Sequence, residues 1–272
     1  MRLELYQIAY SAQTLAMIEP GYRVLDNLGN ERPDWYEYHP IRRFLLEQPL
    51  EDDVHYGFFS PKFASKTGLA YARVVEHVQR AGPSVDVVLF SPQPDMGAFF
   101  LNVFEQAETF DPGFIDAAQA WLEHAGLLDK GRIPLRGLVM DSRHIVFSNY
   151  FVAKPAFWRE WLRFNESLYQ ICEQGPEPLR SQLTALTTYT GGAQRKVFIQ
   201  ERTASLLLVL QGHWESYPVN PFDMAWSLSR FSDHPEMAFM SDALKRAHND
   251  LGLACFLRAF GKVRERFTGE RS

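Results

Sequence analysis

Apolar residues along the chain fall into two kinds of run. Leu3–Ala9, which alternates or runs apolar, and Val54–Phe59 are short strand candidates, and Val85–Phe90 is a continuous apolar run, the pattern of a buried parallel strand. Between the last two, Leu69, Ala72, Val75 and Val78 recur at helical spacing across Lys66–Ala81, and Gly82-Pro83 ends that segment. Strand, helix and strand in this order predict a βαβ unit. A short helix is expected over Thr14–Ile18, stopped by Pro20-Gly21, and an amphipathic turn over Ile41–Leu46. Gly97–Phe110 and Pro112–Ala125 read as helices, and Leu135–Met140 and Ile145–Val152 as short strands. Pro155 opens a helix over Ala156–Cys172, and further helices are expected at Leu179–Leu186, Val197–Leu210 and Leu244–Phe267. The reading is an α/β fold with a mixed, mainly parallel sheet flanked by helices. It forms one domain over residues 1–272, with a sheet core over 1–155 and a mostly helical part over 156–272.

A chain of 272 residues can bury one large core. Its net charge of −5 argues against nucleic acid as the main partner, which calls for a basic face. Cys172 and Cys255 stand far apart in apolar stretches and suggest neither a disulfide framework nor a zinc site. No apolar run approaches the roughly 20 residues of a membrane span, and Met1–Glu4 does not open a signal peptide. A cytoplasmic location is therefore expected. Phe, Tyr and Trp make up 14% of the chain, which supplies stacking surfaces for sugars or bases as well as core.

The chain contains no G-x-G-x-x-G, Walker loop, G-x-S-x-G, H-E-x-x-H or paired C-x-x-C. Candidate chemistry then lies at the ends of the expected strands, where open α/β sheets bind ligands. These ends are Tyr10-Ser11, Ser60–Lys62, Ser91–Asp95, Asp141–His144 and Asn149-Tyr150. Asp95 either holds a divalent cation, Mn²⁺ or Mg²⁺, bridging a diphosphate, or caps the helix that follows. Asp141 has the same two readings. Lys62 and Lys66 precede a helix and can neutralise phosphate, or simply face solvent. Glu201-Arg202 interrupts an apolar helix, so Glu201 is either a catalytic carboxylate facing a cavity or half of an ion pair.

The segment Asp26-Asn27-Leu28 with Asn30, followed by Trp35-Tyr36-Glu37, resembles the D-N-[IL]-x-x-x-N-x-x-Y-x-E-L-T stretch of small bacterial GT-A-like glycosyltransferases of capsule and lipopolysaccharide synthesis. His55–Ser60 resembles their Tyr-Ile-Gly-Leu strand. Ser148–Val152 with Trp158, Trp161 and Leu162 resembles their Asn-Met-Phe-Ile segment and following helix, and Phe198–Arg202 their F-x-x-E-R-L. The Arg-Arg of that strand end is replaced by Ser60-Pro61-Lys62, and no D-x-D occurs. The resemblance implies a GT-A-like fold, a nucleotide-sugar donor and a surface-polysaccharide acceptor. It places the diphosphate near Ser91–Asp95, with Tyr10, Ser11, Asp26 and Asn27 lining the nucleotide pocket. Asp141 or Glu201 would deprotonate the acceptor. Trp35, Tyr36 or Trp158 would stack on its sugar, and Lys62, Lys66, Asn149 and Arg202 would complete the substrate contacts. Two other readings are a non-catalytic binder of nucleotide sugars or carbohydrate, and an assembly partner in polysaccharide synthesis that uses the Phe256–Val263 stripe.

Overall fold

The computed structural model describes residues 1–128, 134–189 and 191–268, the side chains of 267 and 268 excepted. In chain order its elements are β1 (Arg2–Ala9), α1 (Ala12–Ala16), β2 (Arg23–Asp26), α2 (Tyr38–Glu47), β3 (Val54–Phe59), α3 (Phe63–Thr67), α4 (Tyr71–Ala81) and β4 (Val87–Leu89). There follow α5 (Pro94–Ala98), α6 (Val103–Phe110), α7 (Phe114–His124), β5 (Phe151–Ala153), α8 (Pro155–Gln174), α9 (Glu177–Thr184), α10 (Arg195–Glu201) and α11 (Thr203–Leu210). The last are β6 (Ser216–Pro218), α12 (Pro235–Leu251) and α13 (Ala254–Thr268). Among the described residues, no helix is long and apolar enough to cross a membrane.

The strands form one sheet in the order β2-β1-β3-β5-β4-β6. β1 pairs in parallel with β2 and β3, and β4 with β6, whereas β5 runs antiparallel to both β3 and β4. The sheet is therefore mixed rather than mainly parallel, because its middle is a reversed strand. Side chains alternate between two cores, as strand geometry requires. Tyr56, Phe58, Val87, Leu89 and Phe151 join the larger cluster with residues of α2 and α8. Leu5, Phe59, Val88 and Val152 join the smaller one with Phe63, Val74 and Val78 of α3 and α4.

Several expected elements take other forms. The expected helix over Lys66–Ala81 is divided where Gly68 adopts a left-handed φ of 71°. The expected helix over Gly97–Phe110 is two helices, since Asn102 caps α6 by accepting from the Phe104 and Glu105 N–H groups. The same Asn102 donates to the Leu135 and Leu138 carbonyls, so Leu135–Gly137 is a 3-10 turn instead of a strand. Of the strand expected over Ile145–Val152, pairing begins only at Phe151, because Ser148 and Asn149 have φ of 60° and 55°. Gly252, at φ 68°, divides the expected C-terminal helix into α12 and α13. β2 and β6 were not expected. They are edge strands, β2 burying only Leu25 and β6 ending in Pro218, so neither carries a core-strand pattern.

Gly57 lies in the middle of the sheet, in register with Leu5 on one side and Val152 on the other. A Cβ there would meet Val152 Cγ2 at 2.8 Å and Leu5 Cδ2 at 3.1 Å. Val152 is β-branched and fully buried, so it has little room to yield. Gly57→Ala is expected to destabilise the fold by about 1–3 kcal/mol, read as a lower urea midpoint at unchanged slope. An unchanged midpoint would show that the strands separate more freely than this packing allows.

Candidate active site

A cleft of about 480 Å³ opens between α3, the turn before β5, the end of α6 and the face of α10. Its polar lining includes Lys66, Gln93, Gln106, Ser148, Glu201 and Arg202. Phe110, Phe147, Tyr189 and Phe198 supply aromatic surface, with Tyr189 and Phe198 ring centroids 5.4 Å apart in an edge-to-face pair. Phe110 and Tyr189 are 50% and 60% exposed, so these rings have faces available to a ligand.

Two lining residues sit in left-handed backbone. Gln93 has φ 58° and Ser148 φ 60°, and Asn149 follows Ser148 at 55°. Such conformations cost about 1–3 kcal/mol each where the residue is not glycine, and they persist only when the surroundings fix them. Here the fixing groups are visible. Val146 N–H donates to Ser205 Oγ at 2.8 Å, Phe147 N–H to Ser91 Oγ at 3.0 Å, and Asn149 Nδ2 to Gln200 Oε1 at 3.1 Å. Tyr150 and Ser60 share a 2.6 Å hydroxyl contact at the far end of the turn. The result holds Ser148 where Lys66 Nζ donates to its Oγ at 2.9 Å. Asn149 Oδ1 and Gln200 Nε2 are buried without partners, leaving one acceptor and one donor just behind the wall.

Glu201 and Arg202 are adjacent in sequence but do not pair, because consecutive positions near a helix end point in different directions. The Arg202 guanidinium turns inward, where Nε donates to Val103 O at 2.8 Å, Nη1 to Phe198 O at 2.8 Å and Nη2 to Gln106 Oε1 at 2.6 Å. All three acceptors are neutral, so the cation is hydrogen-bonded but not charge-compensated by them. Burial lowers its pKa to about 10. Glu201 faces the cleft, with no hydrogen bond or ion pair to its carboxylate among the described residues. Burial pushes its pKa up to about 7. Glu37 reinforces that rise, and the charges of Arg202 and Lys66 oppose it. An unpartnered carboxylate titrating near neutrality in a cleft is equipped to take or give a proton.

The other sequence candidates are placed differently. Asp141 is fully buried and away from the cleft lining. It accepts from Arg143 N–H at 2.8 Å, Arg143 Nη2 at 2.7 Å and Asn249 Nδ2 at 2.9 Å, and His144 lies 3.4 Å away. Although burial acts the other way, these partners together hold its carboxyl far below the usual range. It is a structural anion, and the expectation that it serves as a base is corrected. Asp95 is also fully buried, accepting from Ser227 N–H at 3.0 Å and from the hydroxyls of Ser227 and Ser229. Its oxygens fasten residues 227–229 to α5, and no cluster of three or more His, Cys, Asp or Glu suited to a metal exists among the described residues. The groups around Asp95 therefore do not fit a divalent cation.

Trp35 and Trp158 are core residues, 1% and 0% exposed, and cannot stack on an acceptor. Trp35 donates to Glu173 at 3.1 Å beneath the Lys196 ammonium, and Trp158 donates to Tyr56 O at 3.0 Å and stacks on Phe151. Tyr36 is 42% exposed, with φ 46°. Ser11 caps α1 in a reciprocal box with Thr14, Asp26 accepts from Leu28 N–H, and the Asn27 N–H donates to Ala9 O. These three, with the exposed Tyr10 and Lys62, lie outside the cleft lining. The structure thus unites Glu201, Arg202 and Lys66, sets Asn149 immediately behind them, and leaves the β1–β2 group apart. Sequence reasoning missed Gln106, Phe110 and Tyr189 as lining residues, and placed Gln93 and Phe198 only within the Ser91–Asp95 and Phe198–Arg202 segments. Only the polar Ser148-Asn149 pair inside an expected strand signalled the turn.

No protein-family model matches the chain, and no curated protein matches it. Among solved structures, the chain is similar to the apo structure of the WbbM bifunctional glycosyltransferase, with a TM-score of 0.42 and 14% sequence identity. The similarity covers 80% of this chain and 44% of that one, so the chain spans less than half of that protein's length.

Proposed function

We propose that the cleft carries out glycosyl transfer from a nucleotide-sugar donor to a hydroxyl of a glycan acceptor, with Glu201 as the base. The observation that carries this reading is the Glu201 carboxylate, unpartnered and raised to about 7 beside exposed aromatic rings and two cations. Sugar rings stack their C–H faces on aromatic side chains, and Phe110, Tyr189 and Phe198 offer such faces. Lys66 has three N–H donors and spends one on Ser148, which leaves two for phosphate oxygens. In the transfer, the acceptor O–H gives its proton to Glu201 while its oxygen bonds to the anomeric carbon. The bond from that carbon to the diphosphate oxygen breaks, and the electron pair leaves with the phosphate, whose charge Lys66 and Arg202 offset. A surface polysaccharide as acceptor follows the resemblance of the Phe198–Arg202 segment and belongs to the same proposal.

Glu201→Gln keeps the shape of the cleft and removes the base. It is expected to retain the thermal stabilisation given by nucleoside diphosphates and nucleotide sugars, a few degrees at saturating ligand. Transfer should fall by about 10²–10⁴-fold. Lys66→Ala should lose the stabilisation itself. Ligand binding without transfer in the parent chain would favour the non-catalytic binder, and a flat response to the whole ligand panel would overturn both readings.

Glu201 also makes stability depend on pH. Its pKa rises from an ordinary 4.5 to about 7 in the fold. Between those values the folded chain keeps a proton that the unfolded chain has released, so stability falls as pH rises through this window. Above it the full cost is present. Glu201→Gln should therefore be more stable than the parent by about 3 kcal/mol at about pH 8, and the gain should shrink to under about 1 kcal/mol at about pH 5. Urea midpoints at the two pH values measure this. A gain that grows on acidification would refute the assignment.

A further inference from the structure

Where α12 turns into α13, five consecutive residues without a polar side chain are exposed: Leu251 at the end of α12, Gly252-Leu253 in the turn, and Ala254-Cys255 at the start of α13, with Leu251 61% and Leu253 51% exposed. Runs of this kind on a folded surface are unfavourable unless they meet something. Helix α13 continues directly from this turn. Its exposed positions Arg258, Lys262 and Arg266 are spaced four apart, which places them along one stripe in line with Cys255. Among the described residues, none of the three has an ion-pair partner, whereas neighbouring Arg264 pairs with Glu105 at 2.7 Å.

The opposite side of α13 is occupied by the fold. Phe260 and Val263 are buried, and the Lys245 ammonium lies 5.8 Å from the Phe260 ring centre. Lys245 is itself fully buried and donates to the Gly97 and Phe100 carbonyls at 2.7 and 2.8 Å, so it ties α12 to α5. The stripe and the apolar turn are therefore presented outward on an anchored hairpin. The charge there is also unlike that of the rest of the chain. Residues 246–266 carry five Lys and Arg against two Asp and Glu, while the whole chain has a net charge of −5.

We infer that the α12–α13 hairpin is a docking surface for an anionic lipid bilayer, with the Leu251–Cys255 turn dipping into the headgroup region and Arg258, Lys262 and Arg266 lying over acidic headgroups. Charge complementarity selects this occupant. A local excess of unpaired cations repels a second copy of the same face and attracts an anionic plane, while the adjoining apolar turn supplies the shallow insertion that electrostatics alone does not. Because no described helix is long and apolar enough to span, the contact is peripheral. This surface is independent of the Glu201 chemistry, and its failure would leave that reading untouched.

Sedimentation of the whole chain with phosphatidylcholine vesicles, with and without one-third phosphatidylglycerol, tests the proposal. Binding is expected only with the anionic lipid at about 0.1 M salt, weakening strongly at about 0.5 M as screening shortens. Replacing Arg258, Lys262 and Arg266 together by Gln should lower the partition constant roughly a hundredfold. Leu251→Ser with Leu253→Ser should lower it roughly tenfold or more at low salt. All five positions are exposed, and circular dichroism checks that both variants remain folded. Equal binding to neutral vesicles, or no effect of either variant, would overturn the inference. So would a dimer in sedimentation velocity that the serine variant dissolves, since the face would then belong to a second copy.

Discussion

The reversed strand in the middle of the sheet is the constraint on which the cleft depends. β5 is three residues long and fully buried, and it pairs on one edge with β3 and on the other with β4. A strand that must enter against its neighbours needs a tight reversal, and the chain makes it with two successive left-handed residues, Ser148 and Asn149. Neither is glycine, so the turn stores strain that the hydroxyls of Ser60, Ser91 and Ser205 and the amide of Gln200 help to hold. These contacts come from β3, β4 and the α10–α11 segment, and the reversal thereby ties the sheet to the helix face that bears Glu201. A continuous parallel strand at this position would have carried Ser148 away from Lys66 and left no cleft between them.

Much of the α/β plan was legible, because β1, β3 and β4 are buried on both faces and therefore read as continuous apolar runs. β2 and β6 were not, since an edge strand with one buried face or a terminal proline has little to distinguish it from loop. Helix breaks at Gly68, Asn102 and Gly252 were hidden for a related reason. No loop-like polar stretch marks these breaks, and only a capping side chain or a left-handed glycine interrupts the backbone.

Side-chain roles were harder to read, and the two candidate carboxylates show why. Asp141 and Glu201 both lose hydration on folding, yet their chemistry is set by how many donors reach them. Arg143, Asn249 and the Arg143 backbone N–H supply Asp141 with more than enough to keep it ionised. Glu201 receives none, because the nearest guanidinium spends its donors on Val103, Phe198 and Gln106. Nothing in the local sequence around Glu201-Arg202 announces that division. The aromatic candidates divide in the same way. Trp35 and Trp158 satisfy their indole N–H groups inside the core, while Phe110 and Tyr189, which carry no motif, are left open to a ligand.

The electrostatics of the cleft tie its two ends together. Under the proposed transfer, an anionic donor entering beside Glu201 would disfavour the carboxylate further, since two like charges in a partly dry space raise the pKa of the weaker acid. A carboxylate already half protonated near neutrality would then hold its proton and could not serve as the proposed base. Lys66 stands between these outcomes. Its charge opposes the rise at Glu201, and its free N–H groups are those available to phosphate. Hydrogen bonding to Ser148 holds the ammonium at the reversal turn, so under the proposed transfer the residue placed to receive the donor also adds, after Arg202, to the positive charge that favours the ionised carboxylate. Arg202 adds a fixed positive field from behind, screened little because it is buried. The separation of Glu201 from Arg202, which looks like a missed ion pair, would in the proposed transfer leave the carboxylate free for an acceptor proton while the cation lowers the energy of the leaving phosphate.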